Sequence, residues 1–371
     1  STILQNNVSF NDACFTLNAS NIVLDCNNFA IVGSRAGNSI GVFANLQNNV
    51  TIKNCYITNF SSGITLKSTF RSLLLNNSII EGYNIRNSGA YSTGIYLNNS
   101  DYNNLTDNFA TRINATMISA GAFPNCNTAE AAAFKFQNSS HNYALNLNGS
   151  LTKSQGYANS EGSCGSATVG FGIYILYSSN NSINYARFDG HSQYGAVYQS
   201  VNSTSIYHSE FLGSSSAGFT ATDSQNSGIV NGTFMGNNLV GALLSDPINF
   251  NVSIIGSNFS FDKASISSPN VTIDSSIFSY GNPAINIQSG ADGFWLTRNT
   301  IQHSPITTIW TGAIIIKASH GFAINNLFFN TTNTTNVNIG AIYSEGDFNN
   351  FTGNNITNSS SYGVIFRGTT D

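Results

Sequence analysis

The chain has 371 residues, of which only 8% are charged, with 13 Lys and Arg against 17 Asp and Glu and a net charge of −4. So thin and scattered a basic complement excludes a nucleic-acid surface, and no apolar run reaches the ~18 residues of a membrane span. A hydrophobic share of 41% supports a large core, which excludes disorder.

Asn, Ser, Thr and Gly fill the polar positions and weaken helix, whereas 26 Phe, 16 Tyr and the β-branched residues favour strands. Two landmarks then recur along the chain. One is an aliphatic or aromatic residue followed five positions later by Phe or Ile: Leu24/Phe29, Ile52/Ile57, Ile183/Phe188, Ile206/Phe211, Ile229/Phe234, Ile254/Phe259, Ile273/Phe278, Leu296/Ile301, Ile324/Phe329 and Phe351/Ile356. The other is Gly ahead of an apolar alternation, at Gly63, Gly94, Gly172, Gly195, Gly218, Gly241, Gly312, Gly340 and Gly363, with a constant step of 23 residues from Gly172 to Gly241. Such a coil cannot bury its inward residues alone and must stack on copies of itself. Polar residues recur at the bends between strands, as at Asn54, Asn77, Asn231 and Asn326. Asn accepts the left-handed backbone of a bend and pairs with its copies as an amide ladder. From about 111 to 166 the repeat blurs and predicts a loop insertion; a Thr/Asn-rich segment at 330–338 predicts a smaller one. The expectation is an all-β, single-stranded right-handed parallel β-helix, one domain over 1–371, of about 12–13 coils with ~23 residues each. An antiparallel barrel or sandwich would need Asn-Gly or Asp-Gly turns every 8–12 residues or so, and those are few.

The segment from Cys14 to Gly33, with Asn21-Ile-Val-Leu-Asp25-Cys26-Asn-Asn-Phe-Ala-Ile-Val-Gly33, resembles the opening coil of NosD-like, pectate-lyase-superfamily right-handed β-helix proteins. Asn28 stands where that pattern carries Gly. Later Gly-Ile-x-Leu steps extend the resemblance over nearly the whole chain. It implies the fold and an extracellular or cell-surface setting, and the Asn/Ser/Thr-rich composition resembles archaeal surface proteins. Function is implied only as a range, since such solenoids include lyases, hydrolases, epimerases, sugar-binding modules and adhesins.

Cys14 and Cys26 flank the first strand of that coil and are expected to cross-link, Cys126 and Cys164 to close the insertion, and Cys55 to be left over. There are 21 Asn-x-Ser/Thr sequons. Candidates for N-glycosylation are Asn7, Asn18, Asn49, Asn59, Asn98, Asn104, Asn114, Asn138, Asn148, Asn180, Asn202, Asn231, Asn251, Asn258, Asn270, Asn330, Asn333, Asn350, Asn355 and Asn358, with Asn76 expected inward and unmodified. Glycans would supply the solubility that so few charges cannot.

Polysaccharide hydrolysis needs paired carboxylates, and lyases of this type use clustered Asp with Ca²⁺ and a basic residue. No cofactor and no metal site is predicted, with Ca²⁺ the one cation to consider. The best catalytic constellation is Arg187, Asp189, His208 and Glu210, with His191 nearby and His208 and Glu210 read as alternating on one strand. Its plainer reading is a surface ion pair. Asp292, Arg298 and His303 form a weaker cluster, and His320, Glu345 and Asp347 a possible cation site. Tyr174, Tyr177, Tyr185, Tyr194, Tyr198 and Tyr207 form a candidate sugar-stacking platform. Ser1 opens the chain without Met, and neither end shows a capping helix. The chain therefore reads as a piece of something longer, or as one whose ends stack on another subunit. The expected function is a non-enzymatic, glycosylated surface component of a filament, surface layer or spike, associating with itself, other surface proteins or glycans. The alternative is a carbohydrate-binding module or a polysaccharide lyase or hydrolase.

Overall fold

The computed structural model describes residues 1–11, 13–35, 37–86, 90–118, 129–157, 168–190, 193–237, 240–246, 248, 251–306, 312–333, 340–359 and 362–367. It divides into two compact units, Ser1–Val197 and Tyr198–Asp371. Both are parallel β-helices. Each turn contributes one short strand to each of three sheets, and no helix occurs among the described residues. In the first unit the first sheet runs from Thr2–Ile3 through Val23–Asp25 and Thr51–Lys53 to Ser182–Asn184; in the second it runs from Ser205–Tyr207 to Asn350–Thr352. Among the described residues each long sheet has seven strands in each unit, which makes 14 coils rather than 12 or 13.

Alternation explains the core. The middle residue of each three-residue strand points inward, so Ile52, Leu74 and Leu105 stack in register on the first sheet. On the second sheet Phe211, Phe234, Phe259 and Phe278 form a buried stack with centroids 4.8, 4.4 and 4.4 Å apart. Burying one such ring is worth about 1.5–3 kcal/mol. The five-residue step of the sequence is the distance from one strand centre to the next. It slips at Ile324/Phe329, where Ala323 and Phe328 are the inward pair. The recurring glycine lies where coils approach closely: a Cβ on Gly63 would sit 2.6 Å from the Gly94 carbonyl oxygen, and one on Gly94 2.5 Å from that of Ala133.

Two residues make the bend between the first and second sheets. The first adopts a left-handed backbone, as at Asn54 (φ 55°), Asn76 (φ 52°) and Asn231 (φ 55°), and faces out. The second faces in. Asn77 donates its Nδ2 to Asn108 Oδ1 at 3.0 Å and is buried with it; Asn299, Asn326 and Asn354 repeat the arrangement in the second unit. Asn76 is therefore exposed, not inward, and donates to Asn54 Oδ1 at 2.9 Å.

The inner bend position also corrects the disulfide. Cys26 and Cys55 follow the register-paired strands Val23–Asp25 and Thr51–Lys53, and their Cα atoms lie 4.8 Å apart, bonded through sulfur. Cys14 is a free thiol at the start of the third-sheet strand Phe15–Leu17, where its N–H donates to the Ile40 carbonyl. Residues close in sequence fall on different faces of a coil, whereas residues one coil apart coincide. Cys126 and Cys164 lie outside the described residues.

Coil length varies around the expected 23. Ladder partners are 22, 31 and 39 residues apart in the first unit and 23, 25, 19 and 27 in the second. The long coils carry an additional strand, Tyr83–Arg86, Asn114–Ile118 and Lys153–Tyr157, which pair as a three-stranded sheet. Much of the expected 111–166 insertion is thus coil, with 119–128 and 158–167 outside the described residues; of the 330–338 loop, Thr332–Asn333 is strand and 334–338 lie outside.

Candidate functional site

Arg187 and Asp189 flank inward Phe188 on one exposed strand, Nη2 to Oδ2 3.3 Å. Such a pair is worth about 0–1 kcal/mol. In the second unit His208 is a bend residue (φ 50°) with its Nε2 3.1 Å from Asn231 Nδ2, whereas Glu210 opens the next strand, so the two do not alternate on one strand. His191 lies outside the described residues. Asp292, Arg298 and His303 occupy three separate positions. Asp292 accepts from Ser319 N–H, Arg298 pairs with Asp274, and His303 stacks on Tyr280 at 5.3 Å. Glu345 accepts from Tyr343 Oη at 2.6 Å and pairs with Lys317 and Arg367, while His320 stacks on Phe348. No cluster of three metal-binding side chains occurs among the described residues.

Of the tyrosine platform, Tyr174 and Tyr194 both stack on Phe171, at 4.4 and 6.1 Å. Tyr177 and Tyr185 are exposed bend residues, Tyr207 faces out from the first sheet, and Tyr198 is wholly buried. The Tyr198 hydroxyl has no hydrogen-bond partner among the described residues, and burial pushes its pKa well above 10. Tyr198→Phe should therefore raise the unfolding free energy by about 1 kcal/mol, because a buried orphan hydroxyl is removed; an unchanged or lower denaturant midpoint would contradict this.

Of the sequons, Asn7, Asn18, Asn49, Asn104, Asn138, Asn180, Asn202, Asn231, Asn251, Asn258, Asn350, Asn355 and Asn358 are exposed. Asn59, Asn98, Asn114, Asn148, Asn270 and Asn330 are half-buried.

What the structure does assemble lies on the outward face of the third sheet in the first unit. Strands Ser62–Lys67, Ala90–Asn98, Ala129–Gln137 and Thr168–Leu176 pair in register and stack Thr65, Tyr96, Lys135 and Tyr174 in one column. Their neighbours Ile95, Leu97, Phe134 and Phe136 point into the core. Lys135 Nζ lies 2.5 Å from Glu130 Oε1, and both side chains are mostly buried, 12% and 17% exposed. The ammonium also lies 5.7 Å from the Tyr96 ring centroid and 5.2 Å from that of Tyr174, within cation–π range. Tyr96 Oη donates to Gln137 Oε1 at 2.6 Å. Burial first, and the Glu130 charge second, push Tyr96 and Tyr174 up to about 12, so both phenols stay protonated at neutral pH. Around this column a groove of ≈ 520 Å³ is lined by Asn38, Ile40, Ser61, Ser62, Thr65, Tyr91, Thr93, Tyr96, Glu130, Lys135 and Gln137. Ser62 Oγ is hydrogen-bonded to Thr65 Oγ1 (2.9 Å) and Thr93 Oγ1 (2.7 Å).

The sequence hid this pair. Glu130 and Lys135 are five apart, which in a regular strand puts them on opposite faces. The ladder, however, skips the pair Gly94 and Ala133, and Glu130 and Lys135 meet across that interruption.

No family model and no curated protein matches the sequence. Among solved structures, the chain is similar to the A-module of mannuronan C-5 epimerase AlgE6 from Azotobacter vinelandii, with 12% identity and a TM-score of 0.54 over 96% of this chain and 80% of that one. It is also similar to the periplasmic alginate epimerase AlgG, with 11% identity and a TM-score of 0.50 over 76% of this chain, which spans 61% of that protein. At these identities the likeness is one of fold, the right-handed parallel β-helix.

Proposed function

We propose that this protein is an extracellular or cell-surface β-helix that holds a glycan in the third-sheet groove without cleaving it. The observation that carries this reading is the groove itself: aromatic rings, hydroxyls and amides converge on a concavity whose size suits a small ligand. Half-exposed rings offer the faces and edges that sugars pack against, and the hydroxyls and amides of the lining can exchange hydrogen bonds with them. Among the described residues its lining holds a single carboxylate, Glu130, already bound to Lys135. The two carboxyl groups flanking the scissile bond that glycoside hydrolysis requires are not found among those residues. Glycosylation of the exposed sequons belongs to the same surface setting.

A glycan array followed by calorimetry of the best hit tests the reading. Binding should weaken about tenfold or more in Tyr96→Ala, the scale of a central aromatic contact. Release of new reducing ends or unsaturated sugars from the bound glycan would show an enzyme instead.

A second reading, association with itself or with other surface proteins, is favoured by an exposed aromatic row on the second unit. Phe261, Tyr280 and His303 stack in turn at 4.9 and 5.3 Å, with Phe329 edge-on beyond.

A further inference from the structure

We infer that the groove selects an electrically neutral glycan and rejects acidic ones, because Glu130 cancels the charge of Lys135. This rests on the glycan-holding reading above. Lys135 and Glu130 are the two charged residues among the described residues of the lining. A lysine free to meet a sugar carboxylate or sulfate would extend toward the open groove. Here it is held on three sides, by the Glu130 carboxylate at 2.5 Å and by the faces of Tyr96 and Tyr174.

An anionic group brought to Lys135 comes equally close to Glu130. At an effective dielectric of about 20, unit charges ~4 Å apart interact by about 4 kcal/mol, attractive for one partner and repulsive for the other. The two cancel, and the acid's lost hydration is left without compensation. The Tyr96 and Tyr174 phenols are protonated and uncharged, and the same negative charge that repels an acid helps to keep them so. A neutral sugar meets no such penalty. Its hydroxyls find the linked Ser62, Thr65 and Thr93 hydroxyls and the Asn38 and Gln137 amides.

Glu130 is thus a specificity residue, and removing its charge should convert the site. The test compares neutral hexose and N-acetylhexosamine oligosaccharides with uronate and sulfated ones, on the full chain, by array and calorimetry. The wild type should bind neutral oligosaccharides at least tenfold more tightly than acidic ones. Glu130→Gln should gain at least tenfold for the acidic set. It should also lower the phenol titrations of Tyr96 and Tyr174 from about 12, read by ultraviolet absorbance, since a charge that raises them is gone. The double variant Glu130→Gln with Lys135→Met removes the whole pair and leaves no unpaired buried charge. It should keep neutral binding without the acidic gain, so a folding defect in the single variant does not decide the matter. Wild-type preference for acidic glycans overturns the inference while leaving the glycan-holding reading intact. An unchanged preference in folded Glu130→Gln overturns it too. Binding of neither class removes the reading and the inference together.

Discussion

Replacing Asp262 by Asn is expected to raise the unfolding free energy of the second unit by about 2 kcal/mol at neutral pH, the cost of a buried polar group without adequate compensation. Asp262 is wholly buried. Its two carboxylate oxygens accept from Asn237, the backbone N–H at 3.0 Å and Nδ2 at 2.8 Å, and no cation pairs with it among the described residues. Burial raises its pKa, and the Asn237 donors offset this only in part. A carboxyl whose folded pKa lies above its unfolded value of about 3.9 favours folding fully below that value. The contribution is then lost as pH rises through the folded pKa. The wild type should lose stability over that interval relative to the variant, which has nothing there to ionise. Asp25, Asp274 and Glu345 run the other way, since hydrogen bonds and basic partners hold them below their ordinary values. They lose their contribution on acidification in both proteins and cancel in the difference.

Asparagine also fits the position. Along Asn299 and Asn326 the backbone N–H and Nδ2 of one amide both reach the Oδ1 of the next, at 2.9 and 3.1 Å, and the second amide's Nδ2 donates to the Leu296 carbonyl. Asn237 already donates its Nδ2 to the Phe211 carbonyl at 2.8 Å, so Asn at 262 would extend a ladder in place. Denaturant midpoints of both proteins between pH 4 and 8 measure the effect; parallel curves would refute it.

The second large effect is expected at the cross-link. Removing both sulfurs by Cys26→Ala with Cys55→Ala frees a loop of 29 residues. The chain-entropy relation gives a loss of about 3.5 kcal/mol in the first unit. Cys26→Ala with Cys55→Asn should recover about 1 kcal/mol of this. Asn77 Oδ1 already accepts from the Cys55 N–H at 3.1 Å, and an amide at 55 would add the second donor that Asn77 itself gives to Asn108. Equal midpoints for the two double variants would show that the ladder does not extend to this coil.

The β-helix was legible because its signal is repeated many times. Ile206/Phe211, Ile229/Phe234 and Ile254/Phe259 are inward pairs as read, and a slip such as Ile324/Phe329 leaves the period intact. Contacts between coils were harder to read. The Cys26–Cys55 bond and the two bend positions occupied by Asn76 and Asn77 depend on which residues coincide after a full turn, and turns vary from 19 to 39 residues. His208 and Glu210 misled because two bend residues interrupt what reads as one alternation. The groove was least legible, since Glu130 and Lys135 meet only across an interruption of the strand ladder that no pattern of residue types announces.

The unequal spacing of otherwise superimposable ladders bears on how such a chain can change in evolution. Each turn returns an inward aliphatic, a left-handed corner and a buried amide or hydroxyl to the same columns, whether it takes 19 residues or 39. Lineages can therefore gain or lose material in two ways without disturbing the columns: by whole turns, duplicated or deleted as units, or by lengthening a corner within one turn. The three successive turns that carry Tyr83–Arg86, Asn114–Ile118 and Lys153–Tyr157 have the second form. Their added strands fall in the same stretch of chain that builds the groove, so a corner lengthens there while the inward columns keep their places.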